Sequence, residues 1–177
     1  TVTTHTGTVG ITNGDYTLSE LITINNATSG AITLTTPNVA LSGEAAEVAA
    51  ALDGVINHSG TVAATTTHNL AQLKSISSGT SGTITLNSYT EALSGSTADV
   101  KAALSGTFAN PYTGTVTLSD SATTNITATD ITDINSSTSG AITVSHAIDI
   151  NGSGAQVKAA FDAIDTNTGN ATANITG

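Results

Sequence analysis

The chain has no cysteine, methionine or tryptophan, and only two prolines, two phenylalanines and three tyrosines among 177 residues. Without cysteine there is no disulfide framework, no CxxC zinc site and no thiol nucleophile. Aromatics are 3% of the residues, so one large globular core would lack its usual bulky fillers. Charge is also scarce. Three basic residues face 13 acidic ones, for a formal net charge of −10. Nucleic acid and anionic membrane both demand a basic face, so the composition argues against either as a partner. No apolar run is long enough to span a bilayer, so membrane insertion is not expected. There is no initiator Met and no signal peptide, and the chain opens in the middle of a repeat. It reads as a slice of something longer.

What is present is small and regular. Val, Ile, Leu and Ala keep strict positions among Thr, Ser, Asn and Gly, which suits thin layers stacked in series. Leu93-Ser-Gly-Ser-Thr-Ala-Asp-Val-Lys-Ala-Ala-Leu-Ser-Gly106 organises the rest. It has counterparts at Leu41-Ser-Gly-Glu-Ala-Ala-Glu-Val-Ala-Ala-Ala-Leu-Asp-Gly54 and Ile150-Asn-Gly-Ser-Gly-Ala-Gln-Val-Lys-Ala-Ala-Phe-Asp-Ala163. The aligned Val48, Val100 and Val157 are spaced by 52 and 57 residues. Such self-similarity determines the architecture before any single residue is weighed. Units start at Gly7-Thr-Val, Gly60-Thr-Val and Gly114-Thr-Val, with a degenerate start at Gly169. The expected division is 1–6 as the tail of a preceding repeat, then repeats at 7–59, 60–113 and 114–168, with a fourth opening at 169–177.

Each unit has two halves. The first opens on a strand, Thr61-Val-Ala-Ala64 or Thr115-Val-Thr-Leu118, because Thr and β-branched residues at period two favour strands. A polar turn and a short helix follow. Leu18, Leu21 and Ile24, then Leu70, Leu73 and Ile76, then Ala128, Ile131 and Ile134 give one apolar helical face each. Thr17 and Asn69 fit the N-cap. The half closes on Thr28-Ser-Gly30, Thr80-Ser-Gly82 or Thr138-Ser-Gly140, with Gly expected to supply a permissive turn. The second half repeats the scheme: a strand such as Thr83-Ile-Thr-Leu86, an extended piece such as Val39-Ala-Leu41 or Ala147-Ile-Asp-Ile150, then a helix. Ser42, Ser94 or Asn151 precede that helix, with Ser96 or Ser153 as second choices of cap.

These strands alternate apolar and polar. A parallel sheet covered on both faces would read as continuous apolar runs. The expected fold is therefore α/β: a solenoid of strand–helix–strand–helix units with a parallel sheet, right-handed crossovers and helices on one face. In outline this resembles leucine-rich-repeat architecture, although that consensus is absent. A rival layout makes Ile32 to Leu41 a β-hairpin around Thr36-Pro37-Asn38, giving small α+β beads on a string. One unit has too few aliphatics to offset the ordering entropy of its residues, so a single unit should not fold alone.

Candidate chemistry is sparse. Asp149, Asn151 and Ser153, followed by Gly154, match the first positions of a calcium loop. Ala160 stands where that loop needs a bidentate Glu, so the weak calcium candidate competes with a plain helix-capping turn. No other cofactor or metal is expected. His5 and His58 hold equivalent places two before the unit-starting Gly, about 10 Å apart at two strand spacings, too far for one metal. These two, His68 and His146 read as surface histidines. Asp130 and Asp133 lie one helical turn apart with nothing basic foreseen beside them, a solvated face. Ser42-Gly43 and Ser94-Gly95 lack the context of a nucleophile elbow. Asn26-Ala-Thr28 and Asn174-Ile-Thr176 are glycosylation strings that an Asn- and Thr-rich chain produces by chance. No catalytic residue is assigned, and an enzyme is not expected. Thr33, Thr85, Thr117 and Thr143 would lie on the uncovered sheet face, interrupted by Gly10 and Ala63. Regular threonine arrays suit ice or glycan binding; β-propensity explains them as well.

The strings Gly114-Thr-Val-Thr117, Thr138-Ser-Gly-Ala-Ile-Thr143 and Leu93-Ser-Gly-Ser-Thr-Ala-Asp-Val-Lys-Ala-Ala-Leu104 resemble the tandem arrays of giant bacterial cell-surface proteins. Those of marine cyanobacteria and adhesin-like proteins are the likeness meant. The resemblance implies an extracellular or cell-surface protein serving as a stalk, filament or fibre component. Its partners would be neighbouring repeats of the same or an identical chain, and a glycan or cell surface.

Overall fold

Every strand pairing among the described residues is parallel, and partners lie roughly one half-unit apart: Val9 opposite Ile32, Val62 opposite Ile84, Val116 opposite Ile142. The computed structural model describes residues 5–176. In chain order the elements are β1 (Val9–Ile11), α1 (Leu18–Ala27), β2 (Ile32–Leu34), β3 (Leu41–Gly43), α2 (Ala45–Leu52), β4 (Val62–Ala64), α3 (Leu70–Gly79), β5 (Thr83–Leu86), β6 (Leu93–Gly95), α4 (Thr97–Leu104), β7 (Thr107–Phe108), β8 (Val116–Leu118), β9 (Asn125–Thr127), α5 (Ala128–Ser137), β10 (Ile142–Val144), β11 (Asp149–Gly152), α6 (Gly154–Ala163), β12 (Thr166–Asn167) and β13 (Thr172–Ile175). Among the described residues this is a mixed α/β fold of six helices and several parallel sheets, with no closed barrel.

The chain divides into two units. The first is Thr1–Ser88 with Ser105–Asn110; the second is Tyr89–Leu104 with Pro111–Gly177. In the first, β1 pairs with β2, and a four-stranded sheet runs β3-β4-β5-β7. Helix α1 packs on α2, and α2 on α3. In the second, a four-stranded sheet runs β6-β8-β10-β12 and a three-stranded one β9-β11-β13. There α4 packs on α5, and α5 on α6.

The strand pattern follows from alternation. Val62, Ala64, Ile84, Leu86, Val116, Leu118, Ile142 and Val144 are buried, whereas Ala63, Thr85, Thr117 and Thr143 between them are not. Helices bury a narrow stripe: Val48, Ala49 and Leu52 in α2; Leu73 and Ile76 in α3; Ala128, Ile131 and Ile134 in α5. Each fully buried Leu or Ile contributes about 1.5–3 kcal/mol. Helix starts are set by capping boxes, Thr17 with Glu20 on α1 and Asn69 with Gln72 on α3, each contributing about 1 kcal/mol. Tyr16 and His68 occupy the position before those caps, and both are buried.

Several expectations change. The hairpin of the rival layout is absent: β2 and β3 lie in different sheets, each paired in parallel. Ser42, Ser94 and Asn151 are strand residues of β3, β6 and β11 rather than caps. The caps come later: Glu44 on α2, Ser153 on α6, and Ser96, whose Oγ accepts from the Asp99 N–H at 3.1 Å, on α4. Strand β9 stands where a polar turn was read, after Thr123 at φ 65°. Its pairing with β11 supplies ladder partners that the local sequence does not advertise.

Candidate functional site

The feature that recurs most faithfully is a hydrogen-bonded rung built on the Thr-Ser-Gly triplets. Thr28, Thr80 and Thr138 follow α1, α3 and α5 as extended C-caps and are buried. Each hydroxyl accepts the N–H of the glycine two residues on, Gly30, Gly82 or Gly140, at 2.9–3.0 Å. Each also faces carbonyls of an earlier segment: Thr28 donates to His5 O at 2.9 Å, Thr138 to Gly114 O at 3.1 Å, and Thr80 lies 3.3 Å from Gly60 O. One polar side chain thus ties its own turn to an earlier one 20 to 24 residues away.

The glycines serve close approach. A Cβ on Gly30, Gly82 or Gly140 would fall 2.1, 1.9 or 2.0 Å from the carbonyl oxygen of Gly7, Gly60 or Gly114. None of the three has positive φ; among described glycines only Gly54 does, at 72°. The permissive turn expected there is therefore corrected: glycine is present because backbone packs on backbone.

A second tie leaves the unit starts at Gly60 and Gly114. His58 is 2% exposed, with Nδ1 2.8 Å from Thr80 Oγ1 and Nε2 2.9 Å from Val39 O. Val39 O can only accept, so the neutral ring carries its proton on Nε2, and Thr80 donates to Nδ1. Tyr112 holds the equivalent place in the second unit. Its hydroxyl donates to Glu91 O at 2.7 Å, and Glu91 is the counterpart of Val39 two residues before the strand. Burial pushes the His58 pKa down and the Tyr112 pKa up, because each charged form would lose water. His68 is also buried. The reading of all four histidines as surface residues thus holds for His5 and His146 only. Chain position alone did not separate His58, which points inward, from His5, which holds the equivalent place and is exposed.

Other helix starts are closed by residues that follow later in the chain. The Ala45 N–H donates to Thr66 Oγ1 at 3.0 Å. The Thr97 N–H and hydroxyl donate to the buried Asp120 carboxylate at 2.9 and 2.6 Å. This carboxylate at the first turn of α4 suits the helix dipole. Asp130 and Asp133 have a cation between them after all: Lys101 Nζ of α4 lies 2.7 and 2.6 Å from their carboxylates. Those bonds hold its pKa above the usual lysine range.

The calcium candidates lie along an extended strand running into a helix. Asp149 and Asn151 belong to β11, where Asp149 accepts from the Thr172 hydroxyl and Asn151 donates to Asn125 Oδ1 at 3.0 Å. Ser153 caps α6 with Gln156. All three are engaged by protein partners, and Gly154 is the first helical residue rather than the hinge of a loop.

On the open face of β6-β8-β10-β12, Ser94, Thr117, Thr143 and Thr166 stand side by side in register. In the first unit the file is broken, with Ala63 between Ser42 and Thr85 and Gly10 opposite Thr33. No helix among the described residues is long and apolar enough to cross a membrane. Searches of protein-family models, curated proteins and solved structures found no match to this chain.

Proposed function

We propose that this chain is an extracellular structural repeat protein, part of a surface fibre, filament or adhesin stalk. The proposed architecture is an α/β solenoid of units about 54 residues long, the spacing of Gly7, Gly60, Gly114 and Gly169, with helices on one face. The observation that carries this reading is the recurrence of one rung, Thr28, Thr80 and Thr138, each accepting from the glycine two residues on and each bonded back to the segment around Gly7, Gly60 or Gly114. A contact that repeats with the sequence period is what a stack of like layers requires. The role is mechanical: layers bury their apolar stripes against one another, and the acidic exterior keeps the material dispersed. Partners are neighbouring repeats of this or an identical chain. Electron microscopy of the native material tests it. A long uniform fibre is the expected image; a small monomer with a ligand-filled pocket overturns the reading.

One observation favours a second reading, a binding module for glycan or ice. It is the unbroken file Ser94, Thr117, Thr143 and Thr166, at strand spacings of about 4.8 Å. Thermal hysteresis or polysaccharide retention by the isolated protein would support it, and loss of either on Thr117→Val with Thr143→Val would localise it to this face.

A further inference from the structure

Both nitrogens of the His58 ring are committed inside a buried rung: one reaches forward to Thr80 Oγ1, the other back to Val39 O. The ring thereby clamps three backbone segments, 37–39, 58–60 and 80–82. The same three are held by Ser59 N–H and Gly60 N–H on Pro37 O, and by Ser81 N–H on His58 O. We propose that His58 is an acid-released latch: proton uptake at Nδ1 breaks its bond from the Thr80 hydroxyl and loosens these segments from one another.

The chemistry follows from the donor count. In the neutral ring, Nε2–H donates to Val39 O and Nδ1 accepts from Thr80. A proton on Nδ1 turns two donors towards each other. Thr80 can yield only by turning its hydroxyl to Gly60 O or His58 O, 3.3 and 3.5 Å away, both weaker contacts. Its Oγ1 already accepts the Gly82 N–H, so it would then accept twice. No countercharge helps: segments 36–40, 59–61 and 78–82, which bond or bridge to His58, carry no ionisable side chain. Burial lowers the His58 pKa, which agrees in direction. The sign follows. A base whose folded pKa lies below its unfolded value of about 6.5 leaves the unfolded chain binding more protons at acid pH. Its contribution is complete above about pH 6.5 and is lost as pH falls from there through the folded pKa. The opened fraction rises by at most about tenfold per pH unit in that window. Tyr112, at the equivalent rung of the second unit, does not titrate there, so acid weakens one rung and spares its counterpart.

The test is urea denaturation of the full chain at pH 7.5 and pH 5.0, in parallel with His58→Tyr, the residue its counterpart uses. The latch predicts a lower urea midpoint at pH 5.0 in the native chain and a clearly smaller drop in the variant. An equal drop in both overturns it. Should His58→Tyr fail to fold, nuclear magnetic resonance titration of the native chain decides. A His58 ring pKa below 6.5, with the Val39, Gly60 and Gly82 amides shifting in step, upholds the latch. A ring pKa at or above 6.5, or silent amides, overturns it.

Discussion

Gly82 lies so close to Gly60 that a Cβ on Gly82 would fall 1.9 Å from the Gly60 carbonyl oxygen. The obstacle is backbone, which cannot swing aside as a side-chain tip can. Gly82→Ala should therefore destabilise the chain by about 1–3 kcal/mol or more through overpacking. Gly154, at the start of α6, meets nothing within 4 Å. Gly154→Ala should be neutral or stabilising by up to about 1 kcal/mol. Urea midpoints of the two variants, compared side by side, check both.

Thr138→Val keeps shape and removes the hydroxyl. It strands the Gly140 N–H and the Gly114 carbonyl, both bonded to that oxygen. A loss of about 1–3 kcal/mol is expected, with amide exchange at Gly140 accelerated. Unchanged protection at Gly140 would show that the rung is not held by the hydroxyl.

Much of this was legible in the sequence because period and composition act locally. The alternation in Ile84, Thr85 and Leu86 gives a strand with one buried face, and Thr17 and Asn69 fit the N-caps they prove to be. What escaped depends on segments far apart in the chain meeting. Nothing near His58 in the chain says that its ring lies between Val39 and Thr80. Lys101 meets Asp130 and Asp133 only because α4 packs on α5. Strand β9 exists because β11 offers an edge. Gly30, Gly82 and Gly140 were recognised as special, but for turn geometry rather than for the carbonyl facing them.

Asp120 closes the start of α4 by accepting from Thr97 N and Oγ1. Asp120→Ala removes the acceptor from a buried place and should cost about 1–3 kcal/mol. Thr66 plays the matching part for Ala45 through a single bond, so Thr66→Ala should cost less, about 1 kcal/mol. Thermal unfolding of each variant gives the order.

Lys101 is bonded to two carboxylates but is substantially exposed, at 41% of its side-chain surface. Water and salt screen such a cluster. Lys101→Met should change stability by less than about 1 kcal/mol, and the difference should shrink in 0.5 M sodium chloride. A large, salt-independent loss would mean that the methylene stem, not the charge, matters.

The central claim is that each stretch of about 54 residues is held by what stacks on it, and the direct measurement is the folding of residues 7–59 in isolation. Circular dichroism and urea titration of that fragment should show a largely unfolded chain without a cooperative transition, while the 177-residue chain unfolds cooperatively. A fragment that folds by itself, with a sharp transition matching that of the whole chain, would contradict the account and leave independent beads in its place.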